Sequence, residues 1–255
     1  MMSDNVQVVG MASGGSKLLW QPAEVIHMII EHLDEKDINS LIRTCRTLHN
    51  QFNGHLYRRN VKYGKNTALE WGIHHTNPHT TSHALAAGAR VDRPLRDCQE
   101  GRSLSSPLWD TPLVVAVHLW PESSTNPSEE CLQDHMLIFN ALADHGAVHW
   151  GVAGGLMMYE AAQKNCRTLA GLLFDREDSK GLQMHRLPET LHEAIAHVDE
   201  TSMVGLLIFR GWDVNGKDTE GRTPYGCAVD SENWWAANLL EMSGAEKVDY
   251  SETLY

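Results

Sequence analysis

A spacing constrains this chain more than any single residue does. Gly221-Arg222-Thr223-Pro224-Tyr225 is followed by Cys227-Ala228-Val229, then Leu239-Leu240, then Gly244-Ala245, with 21 positions from Thr223 to Gly244. Thr67-Ala68-Leu69 reaches Gly88-Ala89 over the same 21 positions. Asp110-Thr111-Pro112-Leu113 reaches Gly146-Ala147 with a spacing of 35, and residues 121–133, rich in Pro, Ser, Asn and Glu, supply the excess. Leu191-His192-Glu193-Ala194-Ile195 leads through Val204 and Leu207-Ile208 to Gly211, one position longer. Glu160-Ala161-Ala162 leads to Leu169 and Leu172-Leu173, without a Thr-Pro opening or a closing Gly-Ala. An ordered string recurring at nearly constant spacing requires stacked supersecondary units, none of which buries its apolar face alone.

Each part of the string has a mechanical role. Thr caps a first helix and Pro occupies its first position, where the missing N–H is not needed. Small Ala residues let paired helices approach, and Leu-Leu fills the space between units. Gly after the second helix supplies a left-handed stop. Asp218-Thr219-Glu220-Gly221 predicts a tight turn leading into the next unit. These units resemble ankyrin repeats, best at 189–218 and 221–245. The resemblance implies about five degenerate repeats over 63–250. Residues 93–108, 121–133 and 176–187 are expected as loops, and 251–255 as a frayed tail.

Ahead of the repeats lies a different segment. Pro22 suits the first position of a helix. Val25, Ile26, Ile29, Ile30 and Leu33 then follow helical spacing. Asp34 is placed to cap a second helix, whose apolar stripe is Ile38, Leu41, Ile42, Cys45 and Leu48. A short amphipathic piece through Phe52, Leu56, Tyr57 and Val61 follows. So small a unit needs a neighbour or partner to cover its apolar face. Pro22-Ala23-Glu24-Val25, Leu33-Asp34, Asp37-Ile38, Ser40-Leu41, Thr44-Cys45-Arg46-Thr47-Leu48-His49 and Leu56-Tyr57-Arg58 resemble an F-box of the filamentous-fungal kind. Gln21 departs from the pattern, which usually has Leu before the Pro.

The fold expected is therefore all-α, an F-box helical module over 16–62 followed by an ankyrin-repeat solenoid, with residues 1–15 as a disordered tail. The F-box resemblance implies a partner, the Skp-type linker of a cullin–RING ubiquitin ligase. It implies that Pro22, Val25, Ile29, Leu33, Leu41, Cys45 and Leu48 form that interface or its supporting core. Apolar anchors at helical spacing are the chemistry of helix-in-groove recognition. The ankyrin resemblance implies a target protein held on turn tips and first-helix faces. Asp110, Glu193, His197, Trp212, Asp218, Glu220 and Arg222 are the candidate contacts. The rival reading is an ankyrin scaffold that joins no ligase.

Charge separates the two parts. Residues 17–65 hold eight basic and five acidic side chains, whereas 66–255 hold 13 basic and 27 acidic ones. The net charge of −12 is unsuited to generic binding of nucleic acid or anionic membrane. The acidic array favours a basic or mixed target protein. Five cysteines without a C-x-x-C pair point away from a disulfide framework and toward a reducing compartment, cytoplasm or nucleus. No apolar run approaches the length of a membrane span.

Catalytic and metal motifs do not assemble, so no catalytic residue, metal or cofactor is expected. His74, His75, His79 and His83 cluster, but Pro78 interrupts the helix that a shared metal site requires. His192-Glu193 and His197 stand five apart, off the spacing of a zinc-protease helix. Gly14-Gly15-Ser16-Lys17 lacks the residue order of a phosphate loop. Of Trp234-Trp235, one is expected to cover the exposed end of the core.

Overall fold

The computed structural model describes residues 18, 21–92, 95, 111–122, 125, 127–146, 150–197 and 202–247. The described residues form 13 helices and no strand. They divide into two compact units between Asn60 and Val61. The tail at 1–15, Asp110, most of 93–108 and residues 251–255 lie outside the described residues.

The first unit is built from α1 (Ala23–His32), α2 (Glu35–Ile42) and α3 (Arg46–Tyr63). Pro22 is the N-cap of α1, one position before the helix. Asp34 caps α2, its Oδ1 accepting from the Asp37 amide at 2.7 Å. Each helix contributes one i,i+4 pair to the core: Ile26 with Ile30, Ile38 with Ile42, Leu48 with Phe52. That spacing puts both members on one helix face.

Two sequence expectations are corrected in this unit. The stripe from Ile38 to Leu48 is two helices. The Thr44 hydroxyl donates to Leu41 O at 2.7 Å. Cys45 Sγ accepts from the Leu48 amide at 3.4 Å, a weak thiol cap for α3. Side-chain bonding to local backbone competes with helix continuation. The piece through Phe52 and Val61 is not separate but belongs to the 18-residue α3.

The second unit is a series of five helix pairs. These are α4 (Thr67–His74) with α5 (Pro78–Ala86), α6 (Pro112–His118) with α7 (Glu129–Asp144), and α8 (Trp150–Gln163) with α9 (Arg167–Lys180). Then come α10 (Pro188–Ala196) with α11 (Ser202–Phe209), and α12 (Pro224–Asp230) with α13 (Trp234–Met242). Each first helix packs on its own second helix, and the first helices pack on one another in chain order, α4, α6, α8, α10, α12. This is an all-α solenoid. Its buried side chains lie in every pair, among them Leu69, Leu113, Met157, Leu191 and Leu240.

The turns explain the period. Gly88, Gly146, Gly211 and Gly244 close second helices with φ between +78° and +91°. The residue after the left-handed position returns its amide five positions back, as in Ala89 N to Ala84 O and Ala245 N to Leu240 O. That bond satisfies a carbonyl stranded at the helix end. The same closure follows first helices, where the left-handed residues are Thr76, Asn165 and Glu232. There the returning amides are Asn77 to Gly72 O, Cys166 to Ala161 O and Asn233 to Ala228 O, each 2.8 Å. Thr223 Oγ1 accepts from the Gly226 amide, the expected cap. Thr111 holds the same N-cap place without a side-chain cap bond.

Two loops are shorter than expected. α9 runs on to Lys180, so 176–180 is helix, and Gly181 closes the third pair at φ +61°. Residues 129–133 begin α7, with Ser128 accepting from the Cys131 amide.

The segment after Gly181 lies hard against α8. His185 N donates to Gly151 O at 2.8 Å. A Cβ on Gly155 would stand 2.4 Å from His185 O. Gly155 is thus required by close approach. Gly155→Ala is expected to lower the unfolding free energy by about 1–3 kcal/mol. A Cβ on Gly171, within α9, meets nothing within 4 Å. Gly171→Ala is expected to raise stability by roughly 0.5–1 kcal/mol. Urea denaturation of the two variants checks the pair of signs.

Candidate protein-interaction surfaces

In the first unit the helices split their apolar residues between a core and an uncovered face. Ile26 and Ile30 point inward, while Val25 is half-buried, Ile29 is 37% exposed and Met28 is 57% exposed. Met28 was missed because the sequence pattern was read for the core, and nothing in the period marks a residue that faces away from it. Pro22 is exposed. Leu33, Leu41 and Cys45 are partly buried and pack against the core edge. Leu48 is 2% exposed and supports the face from within. Gln21 is exposed.

The candidate target contacts of the second unit fall into three groups. Trp212 does not belong to a binding face, because it is 3% exposed. Its Nε1 donates to Leu187 O at 3.1 Å, and its ring meets Phe174 edge-on. Arg186 lies over the same ring at 4.9 Å while making two hydrogen bonds to the Glu177 carboxylate. The Trp was placed by chain position near a repeat junction, which does not report burial.

Asp218 is likewise committed internally, with its side chain 5% exposed. It accepts from the amides of Glu220 and Arg222 and from Arg222 Nε, at 2.8–2.9 Å. Burial pushes its carboxyl up, but the Arg222 amide, the Arg222 guanidinium and the Glu220 amide outweigh this and hold it below the ordinary 3.8. Glu220 and Arg222 remain exposed at the tip of this turn.

Glu193 and His197 sit at the junction with the preceding pair. His197 Nε2 faces Gln163 O at 2.9 Å and carries the proton for that bond. Glu193 accepts from Gln163 Nε2 at 3.4 Å. Similar ties recur: Lys164 Nζ donates to His118 O and Trp120 O, and Asn233 Nδ2 donates to Ile195 O. The His197, Lys164 and Asn233 ties each give a backbone carbonyl of the earlier pair a donor.

A face that the sequence reading did not single out lies on α8. Val152, Leu156, Tyr159 and Gln163 follow steps of four, three and four, so they share one side of the helix. Val152 is 51% exposed. Burial and then the carboxylates of Glu193, Glu160 and Glu189 push the Tyr159 phenol up. Apolar and acidic groups thus adjoin on the first-helix row.

Outside these faces, His192, Asp218 and Cys227 bring ligand atoms within 4.8 Å of one another. No spacing in the chain marks this group, because the three come from separate elements. The His192 nitrogens face Pro188 O and Arg222 O, each at 2.9 Å. Asp218 is held as above, and burial pushes the Cys227 thiol up. Binding a metal would require breaking these bonds and forming a thiolate. The group serves as a junction between the fourth and fifth pairs. Of the earlier histidine cluster, His75 stacks on Trp71 at 4.4 Å and His79 meets His83 edge-on. Trp234 and Trp235 are 64% and 51% exposed, so neither closes the core end as expected. Among the described residues no helix is long and apolar enough to cross a membrane.

Comparison with known proteins bears on both units. Residues 22–59 match the F-box domain family. A solved ankyrin repeat domain from Acinetobacter baumannii AYE is similar in structure at 20% identity, with a TM-score of 0.48, over 68% of this chain and 79% of that one. No curated protein matches the sequence. Residues 22–59 thus match an F-box domain, and the described residues that follow form a helical solenoid whose repeat is evident in its own helix pairs and glycine stops.

Asp218→Ala is expected to shift and deprotect the Glu220 and Arg222 amides while the α6–α7 amides stay unchanged, as read by amide NMR. The folded carboxyl titrates below its ordinary value, so its contribution is complete at neutral pH. In the unaltered protein the pH titration of these two amides should have its midpoint below the ordinary 3.8.

Proposed function

We propose that this protein is a non-catalytic substrate-recognition adaptor of a Skp–cullin–F-box type ubiquitin ligase. The F-box unit docks on the Skp-type linker, and the ankyrin array holds a target protein for ubiquitin transfer by the rest of the ligase. The observation that carries this reading is the F-box match at 22–59 on a separate three-helix unit with exposed Met28 and Ile29 beside half-buried Val25. A small helical unit with an uncovered apolar stripe gains from burying it in a partner.

The target side rests on the first-helix row and its turn tips. Glu193, Glu220 and Arg222 together with the α8 face of Val152, Leu156 and Tyr159 offer mixed acidic and apolar contacts. The acidic surplus of residues 66–255 favours a basic or mixed target through complementary fields. The adaptor works in the cytoplasm or nucleus, where the linker and its ligase operate. It performs no chemistry itself. The shifts at His135 and Tyr159 are led by burial.

Gln21 favours a second reading, an ankyrin scaffold outside any ligase, since it stands exposed where an F-box usually has Leu. Co-purification of the full chain with a Skp-type linker separates the two. Binding at micromolar concentration or better is the expected result, and its absence favours the scaffold. Leu41→Asp is expected to abolish linker binding while far-UV circular dichroism and target capture stay unchanged. Unchanged linker binding would remove Leu41 from the docking face.

A further inference from the structure

The arginines of this chain are treated unequally. In the second unit Arg90, Arg176, Arg186, Arg210 and Arg222 each pair with a carboxylate. Arg43 and Arg46 of the first unit, like Arg58 and the second unit's Arg167, show no ion pair or side-chain hydrogen bond among the described residues, but only Arg43 and Arg46 stand together. Both lie at the α2–α3 break, three positions apart, and both are exposed.

They line one open groove of about 550 Å³ together with Ile42, Thr44, Cys45, His49 and Asn50. The lining contains two guanidinium groups, an imidazole and an amide, and no carboxylate. The Thr44 hydroxyl is spent on Leu41 O, so the free donors are those of Arg43, Arg46, His49 and Asn50. Ile42 and Cys45 join the groove floor to the apolar edge made by Leu41 and Cys45.

We infer that this groove receives a carboxylate-bearing segment of the linker, so that docking has two parts, an apolar stripe and an acidic clasp. The inference rests on the adaptor reading and specifies the chemistry of its partner. The occupant follows from charge complementarity, because a planar guanidinium presents paired donors that fit a carboxylate. It also follows from continuity with the apolar docking face. Charged contacts at an interface edge set association rate and salt dependence more than bulk affinity. Arg43 and Arg46 therefore act as steering and register residues, with the apolar stripe supplying the burial.

The experiment uses the full chain and a purified Skp-type linker, with binding measured by calorimetry at low and high salt. Arg46→Glu is expected to weaken binding about tenfold at low salt, with a smaller loss at high salt. Arg43→Ala with Arg46→Ala is expected to flatten the salt dependence without touching the core, since both side chains are exposed. Lys36→Glu reverses an exposed charge on α2 away from the groove lining and is expected to change binding by no more than about twofold. Equal losses from Lys36→Glu and Arg46→Glu would mean a diffuse field and overturn the groove. Linker binding by the unaltered chain that none of the arginine variants weakens would also overturn it and leave the adaptor reading intact. If the unaltered chain binds no linker, the adaptor reading and this inference fail together.

Discussion

No helix pair in the second unit can bury its own apolar side. α6 shows the constraint most plainly, since six of its seven residues are buried. A helix seven residues long cannot enclose itself, so its surroundings are α4, α7 and α8. Every later feature depends on that row of first helices. The left-handed closures return the chain at the correct distance, and the close approach at Gly155 lets the segment at 185 lie against α8. The ties from Lys164, His197 and Asn233 bond carbonyls of the preceding pair across each junction.

The opposite side of the solenoid is held by a second periodic device. Arg176 pairs with Asp144, and Arg210 pairs with Asp178, each partner 32 positions back. The two pairs are themselves 34 positions apart, close to the helix-pair period. Arg210 also lies over Phe174 at 4.4 Å, and Arg186 lies over Trp212. Surface ion pairs alone contribute little, about 0–1 kcal/mol. The Arg210 guanidinium also covers the Phe174 ring, which adds contact and fixes its geometry.

Much of this was legible in the sequence for a definite reason. Gly211, Gly244 and Thr223 have roles set by backbone conformation and capping, and those depend on residue type. The all-α class and the repeated pairs followed from them. Side-chain direction was less legible. Trp212 and Asp218 resembled contact residues by chain position, yet both turn inward because Leu187 O and the Glu220 and Arg222 amides claim their polar atoms. The break at residues 43–45 was hidden because Cys45 and Leu48 continue an apolar period across it, and only the Thr44 and Cys45 bonds reveal it. Gly181 was misassigned for the converse reason: without a following Ala it did not look like a stop. The α8 face went unseen because Val152, Leu156 and Tyr159 read equally well as core.

The row α4, α6, α8, α10, α12 has a consequence for how such a surface can change. Each helix pair touches its neighbours in sequence and little else, so disturbance decays along the row rather than spreading through a common centre. An altered side chain at the α12 turn is felt at α10 through the His192–Arg222 bond, and α6 has no such link to it. The first-helix row is therefore modular in inheritance as well as in form. One pair can acquire a new preference while the others keep theirs, and a new specificity can accumulate by single local steps.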